Sequence, residues 1–368
     1  MKARIEKIFA RLETPVDALV LANAVDPHLD QSFFYLFDVP SGLFEGSVAI
    51  AHADGKLDVL VSPLELESAQ EAAKADPHVA VHPATREGTD PLVRKLLGSA
   101  KTVGLHNREL THEWFLRLDK LLPQTKWVDA SPAIRKARST KDSGEIARLR
   151  KAAEIGSAVG REIPSAMKAG MTELELAAEI EYRMNRHGAN GRSFATIVAF
   201  GAHGAEPHYA PGETRLAAGQ SIVCDFGAWH KRYASDITRS FHFGKRDDEM
   251  MRVHETVEKA QAAAFAAIRP GVPAKEVHLA AERVIDASPW KGRLIHGVGH
   301  SIGLAVHDGW YYGPQIDDPL EEGMAFTVEP GIYLPGHGGV RIEDDIVVTK
   351  NGFEFLTTAP REYIEVSA

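Results

Sequence analysis

The feature that most constrains the fold of this 368-residue chain is an internal repeat in its second half. Residues 216–227 match residues 320–331 in a leucine, an early glycine, an apolar run, an acid and a closing glycine. Each copy follows a helix-like stretch that ends in a glycine turn, at Gly170 and at Gly271, and glycine favours the C-terminus of a helix. The second half is therefore predicted to contain two related units of helix and strand.

Each copy of the repeat carries two acids. Asp225 and Glu329 follow apolar, strand-like runs, and Asp236 and Glu343 follow them within a short distance. This pattern predicts two antiparallel strand pairs, one per repeat, that project four carboxylates toward a shared cleft. An ionised acid in an apolar strand must be paired or must bind a metal ion. Asp225 alone is explained equally well by a turn or an arginine partner, but the placement of all four acids favours a metal site.

Three histidines lie among small residues between positions 294 and 308, namely His296, His300 and His307. One imidazole can bind a metal while the others donate protons nearby. His208, in the run Ala-Glu-Pro-His-Tyr, is less well determined by spacing alone. A carboxylate-rich set of five ligands can neutralise two divalent cations, whereas a single catalytic zinc typically takes three protein ligands. Metal-assisted hydrolysis is the predicted reaction class.

Composition limits the partners and the compartment. The length favours two domains, and a net charge of -9 argues against a nucleic-acid-binding surface. Cys224 is the only cysteine, and its apolar neighbours indicate a buried strand residue, so disulfides and cysteine metal sites are excluded. We expect neither a signal peptide nor a membrane span, because no sufficiently long apolar stretch occurs. A cytoplasmic protein without a membrane partner is predicted.

The first 135 residues are predicted to form an α/β domain. A hairpin is expected to turn at Asp54-Gly55, helices at 64–75 and 90–97, and a strand at 102–105. The segment 34–45 is an unusually aromatic loop, which is expected to pack inward, with a position beside a cleft as the alternative.

A polar, basic linker at 131–142 is predicted to separate the two domains. After it, Thr172 and Glu175 form a capping box, which predicts a helix to about His187. Pro273 is expected in the first turn of the corresponding helix of the second repeat.

The order of these motifs resembles that of the pita-bread metallopeptidases (peptidase family M24), in the Xaa-Pro peptidase branch that contains prolidase and aminopeptidase P. The matching segments are Asp225 to Asp236 with Ser-Asp-Ile-Thr-Arg, Pro-His208-Tyr, His-Gly-Val-Gly-His300, Thr-Val-Glu329-Pro-Gly and Val-Arg-Ile-Glu343-Asp-Asp. The resemblance covers nearly the whole chain. It implies an α/β (α+β) fold, with a creatinase-like N-terminal domain at 1–135 and a pita-bread domain with a pseudo-twofold repeat at 136–368.

The resemblance implies a role for each matching ligand. Two divalent cations, manganese first and cobalt or zinc as alternatives, would be chelated by Asp225 on one side and by His300 and Glu329 on the other. Asp236 and Glu343 would bridge them. Glu329 would also accept the proton of the attacking water and pass it to the leaving nitrogen.

Other positions match supporting residues of the family. Three outer histidines are implied to hold the scissile carbonyl and to stabilise the oxyanion, namely His208, His296 and His307. Arg341 and Thr238 match supporting positions, for which a purely structural hydrogen bond is an equally good explanation. Phe194 and Tyr209 are candidates for the pocket that receives the proline ring, with ordinary packing as the alternative.

The implied substrates are Xaa-Pro dipeptides or short peptides, and two specificities stay open. Glu329 and Glu343 are 14 residues apart (343 minus 329), a spacing more like that of compact prolidases than of larger aminopeptidases P. Some prolidases bind the dipeptide carboxylate with an arginine after the motif histidine, and the run after His307 has none. We predict a dipeptidase, with an aminopeptidase P for longer peptides as the alternative.

More distant alternatives fit less well. A methionine aminopeptidase shares the ligands but not the long N-terminal domain, and a creatinase-like enzyme does not need metals. A non-catalytic pita-bread binding protein would typically lack ligands, and all five are present here. The family also implies a homodimer.

Overall fold

A computed structural model of the chain describes residues 1–85, 87–245 and 247–367. The chain divides into two compact units, Met1–Arg138 and Ser139–Ala368. The predicted boundary between residues 135 and 136 lies inside a helix, Ser131–Ser139, that ends at this division.

The described residues of the N-terminal unit form α-helices and one six-stranded sheet. Its elements are α1 (Lys2–Phe9), β1 (Ala18–Ala22), α2 (Gln31–Phe37), β2 (Val48–His52), β3 (Leu57–Val61), α3 (Leu66–Ala73), β4 (Val79–Pro83), α4 (Thr89–Leu97), β5 (Thr102–Leu105), α5 (His112–Leu121), β6 (Lys126–Asp129) and α6 (Ser131–Ser139). The strand order is β4-β3-β2-β1-β5-β6, and only β2 runs antiparallel to its neighbours. The expected hairpin, helices and strand of this unit are confirmed.

Two predictions for the N-terminal unit need correction. The aromatic segment is not a loop throughout, because α2 extends to Phe37, but its rings do pack inward: Phe34, Phe37 and Phe44 are fully buried. The prediction of a polar linker at 131–142 is wrong, since most of this segment forms α6. Its apolar residues recur at helical spacing and are buried, which the polar composition obscured.

The described residues of the C-terminal unit form four long helices and several short sheets. Its helices are α7 (Ser143–Ala166), α8 (Glu173–Arg186), α9 (Asp248–Ala267) and α10 (Lys275–Asp286), with a 3-10 helix at Gly201–Ala205. Its strands are β7 (Gly191–Arg192), β8 (Ile197–Phe200), β9 (Gln220–Phe226), β10 (Ala228–His230), β11 (Tyr233–Ala234), β12 (Ile237–Phe243), β13 (Gly299–His300), β14 (Tyr311–Tyr312), β15 (Ala325–Val328), β16 (Gly331–Leu334), β17 (Gly338–Arg341), β18 (Asp344–Thr349), β19 (Gly352–Phe355) and β20 (Ile364–Val366).

The predicted repeat is present in this unit. The first half packs α7 and α8 against β8, β9 and β12, and the second packs α9 and α10 against β15, β17 and β18, each around its own apolar core. Gly170 and Gly271 both adopt left-handed backbone, with φ of +80° and +85°. That conformation favours glycine. Helices α7 and α9 end earlier, at Ala166 and Ala267, so each glycine lies in the turn that follows its helix.

Helix starts in the two halves differ. The capping box of Thr172 and Glu175 is present at the start of α8, as predicted. In the second half, α10 begins at Lys275, so Pro273 precedes the helix instead of lying in its first turn. The amides of Ala274 and Lys275 have no acceptor within the helix, and they donate to the carbonyls of Asp318 and Ile316. Among the described residues, no helix is long and apolar enough to cross a membrane.

Candidate metal centre

The four acids of the repeat lie at equivalent ends of two strand pairs. Strands β9 and β12 are antiparallel, with Asp225 in β9 and Asp236 directly before β12. Strands β15 and β18 are also antiparallel, with Glu329 directly after β15 and Glu343 directly before β18. The strand pairing therefore brings two carboxylates from each half to the same end of its ladder.

His300 reaches the acids from outside the repeat. It lies in β13, and its amide donates to the Thr327 hydroxyl at 3.0 Å. Its neighbour Gly299 packs so closely that a β-carbon there would lie 1.9 Å from the Thr327 carbonyl oxygen. The Nε2 atom of His300 is 3.5 Å from Asp236 Oδ2 and 3.5 Å from Glu329 Oε1.

Ten of the eleven predicted site residues line one cavity of about 610 Å³. They are Phe194, His208, Asp225, Asp236, His296, His300, His307, Glu329, Arg341 and Glu343. Within this cavity, ligand atoms of Asp236, His300 and Glu343 all lie within 4.8 Å of one another, close enough to hold one metal ion.

The acids are short of partners. Asp225 Oδ1, Asp236 Oδ1 and Glu343 Oε1 are buried and have no hydrogen bond. Burial, followed by repulsion from the neighbouring acids, raises the pKa of Asp236 and of Glu343 well above the ordinary range. Burial also raises the pKa of Glu329 to about 8, although Arg341 acts in the opposite direction. Divalent cations would supply the missing positive charge and take up these oxygens, so the donor set fits a metal centre.

Arg341 stabilises one side of this acidic group. Its Nη2 atom donates to Asp225 Oδ2 at 2.7 Å, and its Nε atom donates to the Thr238 hydroxyl at 3.0 Å. Thr238 in turn donates to Glu343 Oε2 at 2.6 Å. One arginine therefore fixes the inner oxygens of two acids and leaves their other oxygens toward the cavity.

A tyrosine connects Arg341 to His296. Arg341 Nη1 donates to the Tyr333 hydroxyl at 2.9 Å, and that hydroxyl lies 2.8 Å from His296 Nε2. The other ring nitrogen, Nδ1, is 2.7 Å from the Gly297 carbonyl, which can only accept. Nδ1 of His296 thus carries the proton and Nε2 accepts from Tyr333. Burial lowers the pKa of His296 to about 4, so the ring is neutral near pH 7.

His208 and His307 differ from His296. Neither ring has a hydrogen bond to another described residue, and both line the cavity. His307 packs edge-on against His300 with ring centroids 4.3 Å apart. Burial, and then the charge of His208, lowers the pKa of His307.

The consecutive acids 343–345 point to different partners because side chains alternate along a strand. Glu343 faces the cavity. Asp344 points the other way and pairs with Arg239 at 2.7 Å and Arg361 at 2.6 Å. Asp345 returns to the first side, where its Oδ2 accepts from the amide of Asp236 at 2.9 Å. Asp345 thus fixes the backbone that carries a ligand of the other half.

The structure does not bring Tyr209 to the cavity. Its hydroxyl donates to Glu173 Oε2 at 2.9 Å, and its ring stacks on His203 with centroids 4.4 Å apart. The Tyr209 hydroxyl is thus bonded to the buried carboxylate of Glu173, whereas Phe194 lines the cavity. Two exposed side chains, Ile295 and Tyr311, also line the cavity and are not among the site residues predicted from the sequence.

The two family models that match this chain cover most of its length. The model of metallopeptidase family M24 matches residues 147–350, and the Creatinase/Prolidase N-terminal domain matches residues 3–140. The chain belongs to metallopeptidase family M24. It is therefore a metal-dependent peptidase with a creatinase-like N-terminal domain, and the predicted family is confirmed.

Known proteins resemble the chain over long stretches. An uncharacterized peptidase of Bacillus subtilis, YqhT, is 36% identical over 264 residues, which cover 72% of this chain and 75% of that protein. The crystal structure of an X-Pro aminopeptidase from Thermotoga maritima matches with a TM-score of 0.89 at 32% identity, covering 99% of this chain and 100% of the other. An Xaa-Pro dipeptidase from Bacillus anthracis matches with a TM-score of 0.88 at 31% identity, covering 99% and 98%. The two-part pita-bread architecture is thereby confirmed.

Proposed function

We propose that this peptidase uses two divalent metal ions to hydrolyse the bond between an N-terminal residue and proline. The observation that carries the proposal is the group of buried carboxylate oxygens without partners in one cavity, beside His300. The structural neighbours named as an X-Pro aminopeptidase and an Xaa-Pro dipeptidase support the choice of substrate. Retention of all five ligands argues against a non-catalytic binding protein.

The metal-holding roles follow the order of the ligands in the cavity. Asp225 would hold one ion, His300 and Glu329 the other, and Asp236 and Glu343 both. When bound, the two ions would activate a water molecule as the nucleophile and polarise the scissile carbonyl. Manganese is the first choice, and cobalt and zinc are alternatives, because carboxylate and imidazole ligands suit all three.

Glu329 is the proposed proton acceptor. It is a buried carboxylate whose Oε1 accepts from the Thr327 hydroxyl at 3.3 Å, so its orientation is set by the protein. It would take a proton from the attacking water and deliver it to the proline nitrogen as that bond breaks.

His208 and His307 are the proposed hydrogen-bond donors to the substrate carbonyl. Their rings line the cavity without hydrogen bonds to other described residues, so their N–H groups are available to a substrate. The family resemblance implies the same role for His296. Because both of its ring nitrogens are engaged, we assign it instead to holding Tyr333, and through Tyr333 the guanidinium of Arg341.

The proline ring would contact the apolar part of the cavity. Phe194, Ile295 and Tyr311 line it, and Ile295 and Tyr311 are exposed enough to meet a substrate. The Xaa-Pro bond has no amide N–H, so a site that binds the amino end, the carbonyl and the ring avoids the strand-like hydrogen bonds that most proteases require.

The preferred specificity is that of a dipeptidase, with aminopeptidase P as the second candidate. One observation favours the second candidate: among the cavity-lining residues that the structure describes, Arg341 is the only arginine or lysine, and Asp225 already pairs with it. A dipeptide needs a partner for its free carboxylate, whereas a longer peptide does not.

Comparing an Xaa-Pro dipeptide with the matching Xaa-Pro-Xaa tripeptide tests this choice. A dipeptidase is expected to have the larger kcat/KM for the dipeptide. A preference for the tripeptide would replace the dipeptidase with the aminopeptidase, and hydrolysis of neither would overturn the proposed function.

We also propose a cytoplasmic homodimer, which rests on the family resemblance. Light scattering of the purified protein is expected to give twice the chain mass of 40.2 kDa. A monomer mass would contradict the proposed assembly.

A further inference from the structure

Glu173 is a fully buried acid that lies outside the metal centre. It is the first residue of α8, directly after the capping residue Thr172, and its side chain has no exposed surface. A carboxylate is favoured at the N-terminus of a helix, but burying one still requires hydrogen-bond donors. The capping box needs only Thr172 and Glu175, so the helix start does not explain the Glu173 side chain.

Among the described residues, all donors to the Glu173 carboxylate come from one segment, residues 200–212. The amide of Phe200 at 2.9 Å and Nδ1 of His203 at 2.9 Å donate to Oε1. The hydroxyl of Tyr209 at 2.9 Å and the amide of Gly212 at 3.0 Å donate to Oε2. One carboxylate therefore fixes both ends of this segment and two side chains within it.

The segment 200–212 forms part of the cavity wall. Ala205, Glu206, Pro207 and His208 line the cavity between the two bonded ends. The ring of His208 has no hydrogen bond to another described residue. No hydrogen bond of the imidazole to another described residue fixes its position, so the backbone of this segment is the part that places it.

We propose that Glu173 is a positioning residue for the reaction, which fixes the segment 200–212 and thereby holds His208 in place to meet the substrate carbonyl. The proposal rests on the function proposed above for His208. A loss of Glu173 would displace a hydrogen-bond donor without touching the metal ligands, and displacements of about 1 Å at such groups reduce rates strongly.

The substitution Glu173→Gln tests this proposal with little change of volume. A glutamine offers one acceptor oxygen, so its amide group would face two of the four donors. We expect kcat for an Xaa-Pro dipeptide to fall about tenfold, with KM changed less than about threefold and metal content unchanged.

Glu175→Gln is the matched control. Glu175 accepts from the amide of Thr172 at the same helix start but makes no bond to the segment 200–212. It is expected to lower the thermal midpoint slightly, because glutamine keeps the capping bond but loses the negative charge that a helix N-terminus favours, and to change kcat less than about twofold. An equal loss of kcat in both variants would overturn the proposal, since general destabilisation would then explain both.

The His208→Ala background distinguishes positioning from a separate effect. If Glu173 acts through His208, Glu173→Gln should reduce kcat by less than about twofold once His208 is absent. The same tenfold loss in both backgrounds would show that Glu173 acts independently and would overturn the proposal.

Hydrogen exchange of the segment 200–212 keeps the test independent of the proposed function. Faster exchange is expected in Glu173→Gln than in the wild type or in Glu175→Gln. Unchanged exchange would overturn the positioning role. If the wild type cleaves no Xaa-Pro peptide, the proposed function fails while this measurement still decides whether Glu173 holds the segment.

Discussion

Asp58 of the N-terminal unit and the acids of the metal centre have opposite surroundings. In the N-terminal sheet, both oxygens of Asp58 have a partner, with His52 at 2.8 Å and His82 at 2.6 Å. Burial alone would raise the pKa of Asp58, but these hydrogen bonds lower it. In the metal centre, Asp236 and Glu343 each keep one oxygen without a partner, and their pKa values are raised.

The difference separates structural acids from ligand-binding acids. An acid whose carboxylate oxygens all have hydrogen-bond partners stabilises its own unit and does not need a bound cation. Buried acids that repel one another are unfavourable until a cation joins them. The same difference occurs between two adjacent residues at the start of β18, where Asp344 is paired with two arginines and Glu343, directly before the strand, faces the cavity.

Among substitutions that test the difference between the two kinds of acid, Glu329→Gln is expected to have the largest effect on turnover. It removes the proposed proton acceptor and one charge from the metal ligands, so turnover should fall about 10³-fold. Steady-state kinetics with an Xaa-Pro dipeptide, together with metal analysis, measures both losses.

Glu354→Gln is the control for Glu329→Gln. Glu354 is an exposed acid that pairs with Arg150 at 3.1 Å. Its loss should change turnover less than about twofold, because exposed ion pairs contribute little. Near-normal turnover of Glu329→Gln would refute the assigned role.

An intermediate effect, on the pH dependence of stability, is expected at His254. This buried histidine of α9 is not one of the proposed metal ligands. Its Nε2 atom has no partner, and burial, followed by the charge of Arg239, lowers its pKa to about 4. In the unfolded chain His254 becomes protonated near pH 6.5, whereas in the folded protein it becomes protonated only near pH 4. Stability from this residue is present above pH 6.5 and is lost as the pH falls toward 4.

Denaturant unfolding at pH 7.5 and at pH 5 measures this loss. The wild type should lose about 2 kcal/mol of unfolding free energy from His254, whereas His254→Gln should not show that part of the decrease. An identical pH dependence of the two proteins would exclude the assignment.

The smallest effect is expected for Asp58→Asn, in the paired cluster of the N-terminal unit. The unfolding free energy should decrease by about 1 kcal/mol or less at pH 7, because the group is partly exposed to solvent. Its low pKa means that this contribution is lost only as the pH falls below the ordinary value of 3.8. Turnover and metal content should stay unchanged, and a loss of bound metal would break the distinction between the two kinds of acid.

Local patterns predicted the repeat and the metal-ligand candidates. Asp225 and Glu329 occupy matching positions at the ends of apolar runs. The antiparallel pairing of the strands is enough to place each acid at the same end of its strand pair. The small residues beside His300 include Gly299, whose backbone lies so close to the Thr327 carbonyl that no β-carbon fits between them. These features depend on neighbours in sequence or on one simple pairing.

Contacts between distant, irregular segments were not predictable in this way. Tyr333 meets His296 across 37 positions, and Glu173 meets Tyr209 across 36. For Tyr209 the sequence leaves the proline pocket and ordinary packing open, because residue type and spacing do not say which way a loop side chain turns, and the structure shows packing. A buried acid at a helix start that is not needed for the cap was the one available signal for Glu173.

The central claim is that the buried acids without partners hold two divalent ions. Elemental analysis of the chelator-stripped protein after reconstitution with manganese tests it most directly, with Asp58→Asn and Asp236→Asn measured in parallel. We predict two ions per chain in the wild type and in Asp58→Asn, and fewer than two in Asp236→Asn. No bound ions in the reconstituted wild type, or an undiminished count in Asp236→Asn, would contradict the account.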